Sequence, residues 1–161
     1  MRTTADLEEY IAQEAIDAAL VRPDRPTPTV EAAADAVGTR PEQIVKSLLF
    51  FVDGAPVLAI SCGVDRIDRR SLAAYFGVGR KRVKLAGPEE VQAITGYSVG
   101  AVPPFGHPQP LQVFLDPRVL EQTSIFAGGG ADDCLLKITP QELQRVTQAV
   151  VLDLQSPAPT P

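Results

Sequence analysis

Lys46 follows Ile44 and Val45 into a stretch, Ser47–Val52, that carries no other charge. A lysine at the mouth of an apolar strand must either carry its ammonium out to solvent along its aliphatic stem or meet an anion there. A second segment, Gly100-Ala101-Val102-Pro103-Pro104-Phe105-Gly106, alternates freedom with stiffness. Glycine permits positive φ and close backbone approach, whereas proline lacks an N–H and fixes φ. Such a loop can hold its few remaining N–H groups in set directions, as stabilisation of an oxyanion requires; a rigid surface connection has the same composition.

Other chemistries find no footing. The sole histidine, His107, lies in Gly106-His107-Pro108, so any Ser-His-Asp or Cys-His triad would have to use a loop residue flanked by glycine and proline. One histidine also excludes His-rich metal sites and the H-E-x-x-H pattern. Cys62 and Cys134 are too few for a disulfide framework or a four-cysteine zinc site, and Cys62, in an apolar run, reads as a small buried hydrophobe. No G-x-x-x-x-G-K-[ST] occurs, and Gly128-Gly129-Gly130 lacks the dinucleotide-binding spacing. No metal and no cofactor are expected.

The elements that must position Lys46 and the glycine-proline loop are readable from periodicity and breakers. Asp6–Leu20 carries apolar residues near a 3.6-residue repeat and is expected to be a helix. Val21–Thr29 holds three prolines and must be extended, after which Thr29 caps a helix over Val30–Val37 that Gly38 ends. Pro41 opens a short turn that delivers Lys46. Ser47–Val52 and Pro56–Cys62 are joined by Asp53-Gly54, a hairpin signal, and both runs are apolar almost throughout, so both faces should be covered. Helices are expected over Asp68–Phe76, Pro88–Thr95 and Pro140–Val151, with a helical turn at Pro117–Glu121. Short strands are expected at Arg82–Leu85, Leu111–Asp116, Ser124–Ala127 and Cys134–Ile138, and Gly96–Pro110 reads as loop. Hairpins mixed with crossovers point to an α/β fold of the α+β type: a mixed, barrel-like sheet surrounded by helices.

The chain has 161 residues, enough for one domain with its own core, assigned to 1–154, followed by a Pro-rich tail, 155–161, expected to be disordered. Hydrophobic residues make up 45% and charged residues 22%, which excludes a disordered or collagen-like chain. No apolar run approaches the roughly 18 residues of a membrane span, and Met1–Leu20 carries acids where a signal peptide is apolar, so a soluble cytoplasmic protein is expected. The net charge is −5, which argues against wrapping long duplex nucleic acid. Yet Arg66, Arg69, Arg70, Arg80, Lys81, Arg82 and Lys84 place seven of fifteen basic residues within nineteen positions. Such a face is either solvated or built for a partner presenting a few phosphates.

Taken together, Pro41-Glu42-Gln43-Ile44-Val45-Lys46-Ser47-Leu48, the Asp53-Gly54 hairpin, Thr95-Gly96-Tyr97 and Gly100-x-x-x-Pro104 resemble the YbaK/ProX family. These are aminoacyl-tRNA deacylases related to the editing insertion domain of bacterial prolyl-tRNA synthetase, and the resemblance runs from about Thr27 to Leu143. It implies trans-editing: hydrolysis of the ester of a small amino acid, such as alanine or cysteine, mischarged on tRNA for proline. The partners would be the acceptor end of the aminoacyl-tRNA and a synthetase. By the match, Lys46 engages the 3′ end of the tRNA, and Gly100 and Pro104 are the fixed positions of the loop that shapes the aminoacyl site. Backbone N–H groups around Gly100, Ala101 and Val102 would face the ester carbonyl, with Val30, Leu48, Ile60 and Val102 walling the pocket. Thr29 either hydrogen-bonds substrate or only caps its helix. Asp133, with Asp132 beside it, is either a site residue or part of a turn. An activated ester needs no triad, because the neighbouring ribose hydroxyl can assist the attacking water. Two other readings keep the same pocket: a non-catalytic module binding tRNA or a synthetase, and a hydrolase of small amino-acid esters or amides.

Overall fold

The computed structural model describes residues 1–155. Among these residues eight strands and six α-helices follow one another. These are α1 (Thr4–Gln13), β1 (Ala18–Val21), α2 (Val30–Val37), β2 (Val45–Val52), β3 (Ala55–Cys62), α3 (Arg69–Phe76), β4 (Val83–Leu85) and α4 (Pro88–Thr95). After the long loop come β5 (Gln112–Leu115), α5 (Pro117–Leu120), β6 (Ile125–Gly128), β7 (Leu135–Ile138), α6 (Pro140–Thr147) and β8 (Val150–Val151).

The strands form a mixed arrangement of two sheets, ordered β1-β7-β6 and β4-β2-β3-β5-β8. The mixed sheet with helices is as expected; its two parts are joined by a parallel bridge between Ile44 and Phe126, and no closed barrel is found among the described residues. β2 and β3 are the hairpin, in register from Val45–Cys62 to Val52–Ala55. Asp53 and Gly54 both take positive φ, as a two-residue turn matched to strand twist requires. The continuous apolar runs of this hairpin are explained by burial on both faces. Leu49, Leu58 and Ile60 enter one core with β5, β6 and β7, whereas Phe50, Val52, Val57 and Ala59 enter a second under α3. Tyr75, Phe76 and Phe114 pack edge to face in that second core, with ring centroids 4.9–5.6 Å apart.

Two helices are shorter than their periodicity implies. The helix expected over Asp6–Leu20 stops at Gln13, Ala15 takes φ 51°, and Ala18–Val21 becomes a strand paired with β7 from Ile138 to Leu135. No glycine or proline marks that stop; the backbone ladder with β7 overrides a local pattern that suits a helix. The helix expected to reach Val151 ends at Thr147 because Gln148 takes a left-handed conformation, and Val150–Val151 then pairs with Phe114–Leu115. Of the tail expected to be disordered, Gln155 is buried, pairs with Ile67 and donates from Nε2 to the Cys62 carbonyl at 3.0 Å. Residues 156–161 lie outside the described residues. No helix among the described residues is long and apolar enough to cross a membrane.

The segment Gly128-Gly129-Gly130 is a packing device. A Cβ on Gly128 would lie 2.3 Å from the Val102 carbonyl oxygen, and one on Gly129 would lie 2.5 Å from the Cys134 carbonyl oxygen. The Gly130 N–H donates to the Ala101 carbonyl at 3.0 Å. Gly128 therefore lets the Ala101–Val102 backbone lie directly on the end of β6, whereas Gly129 makes room for Cys134 and Gly130 for Thr4 and Tyr97. Gly128→Ala is expected to destabilise the protein by about 1–3 kcal/mol, because only backbone atoms could move to make room. Gly79→Ala, where nothing lies within 4 Å, should stay within about 0.5 kcal/mol. Urea denaturation of both variants checks the contrast.

At the other end of the molecule Glu142 holds β1 to α6. Its carboxylate accepts the Asp17 N–H at 2.7 Å and two bonds from Arg145 at 2.6 and 2.8 Å. The Arg145 guanidinium first, and the Asp17 N–H second, hold the Glu142 pKa down at about 2 from its ordinary 4.5. A lowered carboxylate pKa stabilises the fold fully above the unfolded-state value, and that stabilisation is lost as the pH falls towards the folded one. The stability difference between wild type and Glu142→Gln should therefore be constant above about pH 4.5 and shrink as the pH approaches 2, in urea titrations across that range.

Candidate functional site

The outer edge of β2 is shared between two strands that leave a gap between them. β3 occupies the inner edge along the whole of β2, so β4 and β6 must both use the outer one. β4 pairs only with Phe50–Val52, and its last contact is the Ala86 N–H donating to the Leu49 carbonyl at 3.0 Å. β6 reaches β2 only at the Ile44–Phe126 bridge. The N–H and C=O of one strand residue point to the same side, and successive residues alternate sides. Leu49 faces outward, so Ser47 does too, and its N–H and C=O open into the gap between β6 and β4.

A cleft of about 230 Å³ fills that gap. Lys46, Ser47 and Leu48 form one wall, Gly100 and Val102 a second, and Ala127 and Gly128 at the end of β6 a third. Thr29, Val30 and Ala33 of α2 close it from above, with Ile44, Cys134 and Leu135 beneath. Val99, 56% exposed, stands at the rim. A further, almost wholly apolar recess of about 80 Å³ shares Ser47, Leu48, Val99, Gly100 and Val102 with the cleft and reaches towards Leu85, Ala86 and Val91.

The polar groups in this cleft are few. Lys46 is half-buried and forms no ion pair among the described residues. The Ser47 hydroxyl oxygen is buried without a hydrogen-bond partner there, an arrangement native structures rarely leave unexplained. Gly100 takes φ +85°, a conformation that favours glycine, and turns the loop over the end of β6. In that loop the Ala101 N–H donates to the Ser98 carbonyl at 3.0 Å, whereas the Gly100 and Val102 N–H groups form no hydrogen bond among the described residues. Cys134 is buried, which pushes its thiol pKa up and leaves it a weak nucleophile. Among the described residues no three His, Cys, Asp or Glu side chains converge as metal ligands would.

The cleft thus gathers Thr29, Val30, Lys46, Leu48, Gly100 and Val102, widely separated in sequence. Thr29 lines it while its hydroxyl accepts the Ala32 N–H at 3.0 Å, so capping already uses that oxygen. Four other expected residues lie elsewhere. Ile60 is fully buried beside Ser47, its partner across the ladder, where the inner strand β3 packs into the first core. Ala101 is buried with both its peptide groups hydrogen-bonded. Pro104 lines a separate hollow with Tyr10, Phe105 and His107, where it stiffens the loop from behind. Asp133 is exposed, and the Asp132 contribution is its carbonyl, which accepts from the Thr27 N–H and hydroxyl and so fixes the rim.

His107 also works from behind the cleft. Its Nε2–H donates to the Pro103 carbonyl at 2.8 Å, and burial holds the ring pKa below the ordinary imidazole value. The ring is a brace for the loop. Among the lining residues that the sequence did not single out are Ala33, Ser47, Val99, Ala127, Gly128, Cys134 and Leu135. Only Gly128 carried a signal, as the first residue of a glycine triplet, and its meaning required knowing that Val102 lies against it.

Comparison with known proteins converges on the same region. Residues 24–146 match the aminoacyl-tRNA editing domain family. The uncharacterised protein YwhH of Bacillus subtilis strain 168 is 33% identical over 116 residues, 71% of this chain and 72% of that protein. The proline–tRNA ligase of Maridesulfovibrio salexigens is 33% identical over 109 residues, 68% of this chain and 18% of the ligase, so this chain spans under a fifth of the ligase's length. A crystal structure provisionally described as that of a trans-editing enzyme for prolyl tRNA synthetase superposes with a TM-score of 0.90 at 32% identity, covering 98% of this chain and 99% of the other. The matched segment contains every wall of the cleft, and the chain belongs to the aminoacyl-tRNA editing domain family.

Proposed function

We propose that this protein is a trans-acting aminoacyl-tRNA deacylase that hydrolyses the ester of a small amino acid, alanine or cysteine, carried on tRNA for proline. One observation carries the reading: a lysine without an ion pair, the outer-edge peptide groups of Ser47, and Gly100 and Val102 with N–H groups that form no hydrogen bond among the described residues all line one small, otherwise apolar cleft. That set of groups suits a substrate whose end is a phosphorylated ribose joined to a compact acyl group. Family membership and the likeness to a structure provisionally described as a prolyl trans-editing enzyme support it.

In this mechanism the ammonium of Lys46 holds the terminal phosphate or ribose at the mouth of the cleft. The ester carbonyl turns towards the unpaired N–H groups of Gly100 and Val102, with the Ser47 N–H across from them. Water, positioned by the free ribose hydroxyl next to the ester, attacks the carbonyl carbon. As the new C–O bond forms, the carbonyl electron pair moves to oxygen, and the fixed N–H groups stabilise the charge that develops. Collapse of the intermediate breaks the bond to the ribose oxygen, which takes a proton and leaves as the tRNA hydroxyl. The products are the free amino acid and uncharged tRNA. No side chain need act as a nucleophile, because positioning and oxyanion stabilisation supply the acceleration.

Selectivity follows from the walls. The amino-acid side chain enters the recess of about 80 Å³ between Leu48, Val99 and Val102. A hydrophobic pocket gains only about 1–3 kcal/mol per methylene, so rejection of larger side chains by clash discriminates better than attraction of small ones. The buried Ser47 hydroxyl is the lone side-chain hydrogen-bonding group there and would meet a thiol or the substrate amine.

The test is release of labelled amino acid from alanyl-, cysteinyl-, seryl- and prolyl-tRNA for proline, with Lys46→Ala beside wild type. Release of one small amino acid is expected, slowed about a hundredfold in the variant, the typical loss when one polar contact to the reacting group is removed. An unchanged melting temperature for Lys46→Ala would separate loss of chemistry from loss of fold. Retained tRNA binding with no release from any ester would identify a binding module instead.

A further inference from the structure

The basic cluster that stands out in the sequence is organised by two internal ion pairs. Arg70 pairs with Asp68 at 2.9 Å and Arg82 with Asp53 at 2.7 Å, which removes two cations from the face. Arg66 and Arg69 form no ion pair among the described residues and are exposed. They flank a groove of about 350 Å³ whose floor is Leu48, Phe50, Ile67 and Leu85, and whose remaining lining residue is Lys46. Leu85 is 49% exposed there, a large apolar surface left open beside three cations.

Lys46 and Leu48 line both this groove and the cleft. On β2 their side chains share a face with Phe50, and the groove runs from the cleft mouth along that face towards α3. No carboxylate lines it, although the chain as a whole is acidic at −5. Cations over an apolar floor fit one partner chemistry: a single-stranded nucleotide, its phosphates on the arginines and its base face against the aliphatic side chains.

We infer that this groove is a second subsite, receiving the unpaired nucleotide that precedes the terminal adenosine of the tRNA, with Arg66 and Arg69 as its phosphate ligands. The inference rests on the deacylase reading for the identity of the strand. Its geometry needs only a strand whose end enters the cleft, because the shared Lys46 then marks where the chain crosses from one site to the other. A duplex stem is not required to touch Arg66 or Arg69.

Binding of two fluorescent acceptor-stem hairpins tests it by anisotropy, one ending in unpaired CCA and one blunt. Wild type should favour the CCA hairpin, and Arg66→Gln/Arg69→Gln should bind it about tenfold more weakly while binding the blunt hairpin unchanged. The plot of log affinity against log salt should become shallower by about 1.4 for the double variant, at about 0.7 per single-strand phosphate contact. A 3′-aminoacyl-adenosine, which is too short to reach the groove, should be hydrolysed at the same rate by both proteins. Equal loss on both hairpins, or no loss on either, would overturn the subsite. A wild type that prefers the CCA hairpin through these arginines but releases no amino acid from any ester would keep the groove and overturn the deacylase.

Discussion

Ile44 meets Phe126 near the start of β2 and Leu49 meets Ala86 further along the same edge, and between these two contacts the strand has no neighbour. An unpaired stretch inside a sheet is costly, since each exposed peptide group forgoes its ladder bond and its edge invites adventitious pairing. Here the stretch is about three residues long and walled by α2 and by the Gly100–Val102 loop, which keeps other strands away while leaving the peptide groups of Ser47 accessible. The cleft is thus a consequence of sheet topology. Had β4 or β6 been a few residues longer, the ladder would have closed over Ser47 and the cavity would have been lost.

The second wall depends on a different constraint. The Ala101–Val102 backbone lies against the end of β6 because that strand ends in Gly128, where a Cβ would meet the Val102 carbonyl. Prolines at 103 and 104 and the His107 brace then hold the loop from the opposite side. Rigidity of this kind is what oxyanion stabilisation demands, because donors that must reorganise during the reaction contribute less than donors already in place. Under the proposed function, stiffness behind the loop and close packing beneath it would hold the Gly100 and Val102 N–H groups in place for the ester carbonyl.

Much of this was legible in the chain. The caps and stops of α2, α3 and α4 are local, with Thr29 or Asp68 at one end and glycine at the other, and local chemistry decided them. The hairpin was fixed by Asp53-Gly54 and by two runs apolar enough to need cover on both faces. Where strand pairing competed with helix propensity, periodicity misled: Ala18–Val21 and Val150–Val151 read as helix and became edge strands because β7 and β5 were there to receive them. The site divided along the same line. Lys46 and Gly100 carried distinctive chemistry, so their types and spacing marked them. Ser47 did not, since what matters there is an unpaired peptide group, a property of pairing partners and not of residue type. Ile60 does not line the cleft: one strand further in than Ser47, it is fully buried in the first core.

Charge completes the account of how a small acidic domain can address a large polyanion. A net charge of −5 repels nucleic acid at long range, and most of a tRNA would meet that field. Of the cations that remain after Asp68 and Asp53 have claimed theirs, Arg66 and Arg69 line the groove that shares Lys46 with the cleft. Within a Debye length of about 8 Å at physiological salt they outweigh the rest of the surface, and beyond it they are screened. Under the proposed function, attraction would be confined to the nucleotides within reach of Lys46, and the acidic remainder would disfavour binding elsewhere along the stem. On that same proposal, a domain built this way would gain little affinity from the body of a tRNA and would depend on its exposed 3′ end.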